Sequence, residues 1–368
     1  MTPPKLCLWE AHSVKFKFSV CAFAASLAVG ALSPFGPTQA GQFDGIEVRV
    51  ASYGGKWRNL IESTVGKAFA AEGGKMVYVA GSPAPNMAKL IASRGSEPPF
   101  DLWETLDDFL VPLAERNYLD EINLNNIPNA SVLAEQDKSK YWVRTWATQS
   151  AVIYNKEKFE QNGIPFPKRY ADLKHAKLQG KISIPDISGG GIMPCLIGMA
   201  LEMGGSETNI NPALEFISGL DIKAYWKSNS ALQTLFKSGD VWAGCAGVHT
   251  VGRLMKVVPM WATHVEVKPG TFGVLKQGWL VKIKGGKNDK ARDWIINKFL
   301  SEEHQRGVTK GWLLPSREDI LAEFAKDPEK GFMRLTPDEV KNMYSIDFSK
   351  VNRTEYTESW NRKVLSGS

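Results

Sequence analysis

Three times between residues 46 and 115 the chain repeats one local pattern: a short apolar run, a turn, then an amphipathic helix. The run 46–52 reads as a strand and ends at Gly54-Gly55. A helix follows, with Leu60, Ile61, Val65, Ala68 and Phe69 at helical spacing. Gly73-Gly74 stops it, 76–80 gives a second strand, and 86–93 a second helix. A third strand at 100–103 leads into a third helix at 106–115. Strand and helix in strict alternation leave few folds open: a parallel sheet with helices on its faces. In such sheets a ligand sits outside the carboxyl ends of the strands. The strand-to-helix turns are therefore where function is to be sought.

A second α/β run begins after residue 140. Stretches 141–145 and 151–154 are predicted as two strands parted by a short polar break. A strand at 181–184 precedes a helix starting near 191–193, and Asn211-Pro212 opens another helix. A helix at 231–237 and a strand at 242–246 follow. Strands at 263–267 and 279–283 are separated by a Pro/Gly break. The helix 289–300 puts Ala291, Trp294, Ile295 and Phe299 on one face, and the tail is helical, with caps at Thr336-Pro337 and near Thr354. A chain of 368 residues exceeds one ordinary core. The expected division is a first lobe of 43–147 with 277–314 and a second of 148–276 with 315–368. Crossings between them are expected near 146–150, 268–278 and 310–316.

The first 40 residues stand apart. Lys5, Lys15 and Lys17 precede an uncharged run over 18–32, a breaker follows, and Thr38-Gln39-Ala40 offers a small-x-small exit. This is the pattern of a secretory signal peptide cleaved after Ala40. The apolar run is shorter than the roughly 20 residues that span a bilayer. The expected location is the bacterial periplasm. Two of the four cysteines lie beyond the leader, Cys195 and Cys245. They form either one bridge or two small buried hydrophobes. The net charge of +6 is dispersed, with no basic run to hold nucleic acid. No G-x-S-x-G, H-E-x-x-H or Walker-type loop occurs, and no histidines stand at metal-ligand spacing. Neither a metal nor a cofactor is expected.

The turn Ala51-Ser52-Tyr53-Gly54-Gly55-Lys56-Trp57 resembles the opening of family 1 extracellular solute-binding proteins of ABC importers, the spermidine/putrescine-type subgroup above all. The resemblance continues through 100–108, 150–156, 180–186, 237–241, 267–270, 294–305 and Leu314-Pro315-Ser316-Arg317. It implies a two-lobed type II periplasmic binding-protein fold. Each lobe is then a mixed, mostly parallel sheet flanked by helices. It also implies capture of a small solute by a monomer, and delivery to an inner-membrane permease served by a cytoplasmic ATPase. Two other readings stay beside it: a secreted α/β enzyme acting on a small molecule, and a binding protein that serves a sensor.

Polyamine binders of this kind hold alkyl-ammonium ions with ring faces and carboxylates. The resemblance places Tyr53, Gly54, Trp57, Trp103, Trp146 and Trp312 at or beside the binding turns. Glu104 is the favoured carboxylate, with Asp107 and Asp186 behind it, Asp107 reading more readily than Glu104 as a helix-start residue. Two departures weaken the case for a long polyamine. The Trp-x-Asp expected after the second crossing is Lys276-Gln277-Gly278-Trp279 here, and an expected aromatic is replaced by Gly247-Val248-His249-Thr250. Gln277, His249 and Thr250 are accordingly candidate ligand residues. The run Asp186-Ile187-Ser188-Gly189-Gly190-Gly191 before a helix suggests an anion site, or else a flexible loop. As an anion site, with Asp186, Ser188 and Gly190 at its centre, it favours a zwitterion, such as an amino-acid derivative or a betaine-like solute.

Overall fold

The computed structural model describes residues 41–189 and 191–366. The signal-peptide assignment and Gly190 lie outside the described residues. Strands are β1 Glu47–Ser52, β2 Lys75–Ala80, β3 Leu102–Leu106, β4 Leu119–Asp120, β5 Trp142–Asn155, β6 Ile182–Pro185 and β7 Ile222–Trp226. They continue as β8 Ala243–Gly247, β9 Met260–Thr263, β10 Glu266–Lys268, β11 Thr271–Phe272, β12 Val274–Ile283 and β13 Leu314–Pro315. The main sheet runs in the order β2-β1-β3-β12-β5-β8-β6-β7. Both of its outer parts are parallel: β1 with β2 and β3, and β6 with β7 and β8. The middle is antiparallel, where β12 pairs with β3 and β5, and β5 pairs with β8.

Each half is buried on both faces, as period-2 alternation requires. In the first half Val48, Val50 and Leu280 face one core with Ile61, Phe69 and Phe299. Ala51, Trp103 and Val281 face the opposite one with Leu90 and Leu113. In the second half Val152 and Tyr154 join Leu196, Phe216 and Trp360, while Ile153 joins Phe236 and Val251 on the other side. A fully buried side chain of this kind contributes about 1.5–3 kcal/mol. Helices therefore flank the sheet at both ends, with β5 and β12 crossing between.

One expectation is corrected. The polar stretch at 146–150 is no break: β5 is a single strand from Trp142 to Asn155. Thr148, Gln149 and Ser150 are buried, and their main chain is held by β12 and β8. A polar segment can be core when the ladder and neighbouring side chains satisfy it. The stretch expected as a crossing at 268–278 holds a small antiparallel hairpin, β10–β11, before β12 begins. Residues 310–316 include β13, which pairs with β5 at Trp146 and Ala147. The helix read across 60–69 is interrupted by a π turn at Glu62–Gly66, where the Thr64 hydroxyl donates to the Leu60 carbonyl at 2.7 Å. Among the described residues no helix is long and apolar enough to cross a membrane.

Cys195 and Cys245 form a disulfide. It ties the helix Ile192–Glu202 to β8, closing a loop of 50 residues. Replacing both cysteines by alanine is expected to lower unfolding stability by about 2–4 kcal/mol. Urea denaturation at pH 7 measures it. An unchanged midpoint would show that packing alone holds these elements together.

Candidate functional site

The site is built where β1 and β3 end against the front face of the β5–β12 crossing. Ser52 is the last residue of β1; Gly55, at φ 64°, turns the chain into the helix Lys56–Ile61. That left-handed turn favours glycine. It delivers Tyr53 and Trp57 to one place. The Tyr53 ring centroid lies 6.4 Å from that of Trp146, and the Trp57 centroid 6.1 Å from it, both edge-on. Trp146 lies over Gly278, its ladder partner. A Cβ at 278 would fall 2.1 Å from the indole, so glycine is needed there. Leu106, Val308 and Leu313 pack behind this aromatic wall, with Phe109 beside it.

Glu104 holds the wall in place from inside. Its Oε2 accepts from Ser52 Oγ at 2.5 Å and Trp57 Nε1 at 2.6 Å, and its Oε1 from Thr145 Oγ1 at 2.7 Å. Burial pushes its carboxyl up, and the donors pull it back. The three donors come from the β1 strand, the helix after it, and β5. The carboxylate expected to hold a solute is 1% exposed and satisfied by the protein, so it orients the Trp57 indole instead. Trp103 is also corrected: it has no exposed surface and sits between Phe100 and Phe109. On β3 it faces the core opposite to Glu104.

The charged groups beside the wall come one turn later. Asp107 starts the helix Asp107–Glu115, and its Oδ2 accepts the Gln277 main-chain N–H at 3.1 Å. Burial, and after it the neighbouring Asp108, push Asp107 up to about 8. Asp108 pairs with Arg353, and its other oxygen is buried without a partner. Lys276 stands in electrostatic reach of both carboxylates; burial holds its ammonium below the usual range, and the carboxylates oppose this. The Tyr53 hydroxyl is buried without a partner, and Glu104, Asp108 and Asp107 add to the burial that raises the Tyr53 phenol; the Trp146 indole N–H adds to the donors that lower Glu104.

The second half contributes His249. Thr148 is the ladder partner of Lys276, and its Oγ1 lies 3.1 Å from His249 Nδ1. His249 Nε2 lies 3.3 Å from Asn229 Nδ2. With that amide donating, the ring proton sits on Nδ1. Burial, then Arg253 and Lys276, hold this histidine well below its ordinary range, so it is neutral at pH 7. Thr250 is fully buried, with its hydroxyl unpartnered. Trp312 adopts φ 62° and packs on Gly252, where a Cβ would meet its ring at 2.1 Å. Lys330 covers the same ring at 4.8 Å.

Two further expectations change. By alternation along β12, Lys276 and Gly278 face the aromatic wall, and Gln277 points to the back of the crossing. There it lines a pocket with Asp137, Arg144 and Glu318. Only its main-chain N–H reaches the site. In the Gly-rich turn the Ser188 and Gly189 N–H groups are taken up locally. The Ser188 N–H donates to the Asp186 carboxylate at 2.9 Å, and the Gly189 N–H donates to the Asp186 carbonyl at 2.8 Å. Gly191 lies against the Trp226 ring. Asp186 thus accepts both of these N–H groups itself. In the sequence Asp107 stands behind Glu104 as a candidate carboxylate, and Lys276 marks only a departure from the Trp-x-Asp pattern. Asn229 and Arg353 carry no local signal, because their partners lie far away in sequence.

The sequence matches the family described as bacterial extracellular solute-binding protein over residues 65–331. The chain belongs to this family. Solved structures agree on the fold. An ABC transporter protein from Clostridium perfringens is 23% identical, with 86% of this chain and 99% of that chain covered and a TM-score of 0.68. A spermidine/putrescine ABC transporter protein from Listeria monocytogenes is 17% identical (88% and 99% covered, TM-score 0.68). The periplasmic binding protein MotA of A. tumefaciens B6, in complex with glucopine, is 18% identical (86% and 99% covered, TM-score 0.68). No curated protein matches the chain. Family members bind small solutes outside the cytoplasm and work with the permeases of ABC transporters.

Two outcomes follow from the geometry. Glu104→Ala leaves Ser52 Oγ and Trp57 Nε1 without their acceptor and Thr145 Oγ1 with only the Gly278 carbonyl, and should destabilise the protein by about 2 kcal/mol, whereas Trp57→Phe should cost about 1 kcal/mol. Equal melting of Glu104→Ala and wild type would refute the orienting role. Asp107 has a folded pKa raised above its unfolded value, so its stabilising contribution is full below about pH 4 and is lost as pH rises to about 8. Denaturation curves across this window should show stability falling with pH in the solute-free protein, less so in Asp107→Asn. Identical slopes would contradict this.

Proposed function

We propose that this protein is the solute-binding subunit of an ABC importer and captures one small solute with a cationic group and an anionic group. It is exported by its leader, acts as a monomer, and hands the solute to an inner-membrane permease. The carrying observation is the grouping of unsatisfied polar atoms on one aromatic wall. The Tyr53 hydroxyl and one Asp108 oxygen are buried and unpartnered, with Asp107 and Lys276 in electrostatic reach of Asp108. Buried polar groups normally have partners, and a polar solute supplies them.

Ring faces and the Asp107 carboxylate suit an ammonium or quaternary amine. Lys276 opposes a second amine and suits a carboxylate. A compact zwitterion, amino-acid-derived or betaine-like, therefore fits better than a polyamine with amines at both ends. Solutes of the relatives span this range, from spermidine/putrescine to glucopine. A cation against Asp107 favours its ionised form, so binding releases a proton, and affinity for the solute's cationic end rises with pH up to about 8.

A thermal-shift screen of amino acids, betaines and polyamines on refolded, solute-free protein tests this. A zwitterion present at 100 times its dissociation constant should add about 2.7 kcal/mol of stability. Asp107→Asn and Lys276→Met should each cost at least about tenfold in affinity, near 1.4 kcal/mol. No stabilising compound in any class, or binding indifferent to both substitutions, would overturn the assignment.

A further inference from the structure

Arg353 is the first residue of the helix Arg353–Trp360, which Asn352 caps through the Glu355 N–H at 3.2 Å. A cation there is unfavourable to its own helix, because the N-terminus carries partial positive charge. Its guanidinium reaches instead to Asp108, in the first turn of the helix Asp107–Glu115, where an anion is favoured. The two helices belong to different cores. Leu110 and Leu113 anchor the Asp107–Glu115 helix in the first half, and Tyr356 and Trp360 anchor the other in the second. The two charges are 245 positions apart in the chain. The approach is guided by the tail. Tyr344 pairs with β12 through the Leu275 N–H and its own N–H to Gly273, and the turn Phe348–Lys350 then lies against the Asp107–Glu115 helix. Asp108 is 7% exposed and Arg353 37% exposed, so the pair is shielded on the carboxylate side and open to solvent on the other.

We propose that Arg353 is a closure residue: paired with Asp108, it straps the second half of the molecule to the first across the mouth of the solute site. Arg353 sits in the tail and Asp108 next to Asp107, so the strap forms only when the two halves approach over the site. It also compensates the charge of Asp108, leaving Asp107 to meet the solute's cation. The role rests on the binding-subunit reading only for its purpose, since closure itself is measurable without any solute.

Small-angle scattering of the solute-free mature protein tests the strap. A compact chain of this length has a radius of gyration of about 20 Å. Wild type should lie near that value, and Arg353→Glu should exceed it. Arg353→Lys should stay compact and Arg353→Gln should open. The exchanged pair Asp108→Arg with Arg353→Asp should return to the wild-type radius. Salt at about 1 M, where screening reaches about 3 Å, should expand wild type toward the Arg353→Glu value. Circular dichroism confirms that each variant is folded; if Arg353→Glu does not fold, the Lys and Gln variants carry the test. Equal radii for all folded variants, or an exchanged pair that stays open, would overturn the proposal. A protein that closes by this rule yet binds no solute would refute the binding function and leave the strap standing.

Discussion

Two antiparallel strands, β5 and β12, carry the rest of the molecule. Their ladder runs from Ser150 and Val274 to Trp142 and Val281, and both parallel sheets hang on it. Every element of the site is referred to this ladder. Its front face presents Trp146 over Gly278 and Thr148 beside Lys276; its back face presents Gln277 and Leu275. A one-residue slip would exchange the two faces, moving the aromatic wall behind the molecule. The cost of such a slip is high because the middle of β5 is polar and buried. Gln149 donates to the Phe272 carbonyl at 3.2 Å and meets His264, and Thr148 meets His249. Buried polar groups lose free energy when left unpaired, so these contacts pin the register.

On this frame neighbouring carboxylates take different tasks. Glu104 lies inside β3, where every alternate side chain points into the molecule, and three donors surround it. Asp107 lies just past the end of β3, at a helix start, and accepts two main-chain N–H groups, from Asp108 and Gln277, with Lys276 in electrostatic reach. The first is a fixed internal brace for Trp57. The second is a carboxyl held by two main-chain N–H groups beside the aromatic wall, its ionisation opposed by burial and by Asp108.

Much of the fold is legible in the amino acids. The spacing of Leu60, Ile61, Val65 and Phe69, the Gly-Gly stops, and the Thr336-Pro337 start all mark elements that form where expected. The capping box of Thr336 and Glu339 is a purely local signal and survives intact. What sequence reading misses is non-local. The run Trp146-Ala147-Thr148-Gln149-Ser150 looks like a polar break because its partners, on β12 and β8, lie about a hundred residues away or more. Glu104 looks like an exposed anchor because Ser52, Trp57 and Thr145 are brought to it only by the sheet. The run 186–191 suggests an anion site, whereas Asp186 itself accepts the Ser188 and Gly189 N–H groups. Cys195 and Cys245 allow two readings from sequence, and the pairing of β6 with β8 brings helix and strand together.

The central claim is that Tyr53, Trp57 and Trp146 form one wall of a solute site whose charged ends are set by Asp107 and Lys276. A crystal structure of the mature protein with its bound solute tests this most directly. The account predicts the solute's carbon frame against the three rings, its cationic end on Asp107 and its acidic end on Lys276. A solute held at the 186–191 turn or in the pocket of Asp137 and Arg144, with Asp107 and Lys276 beyond hydrogen-bond distance, would contradict it.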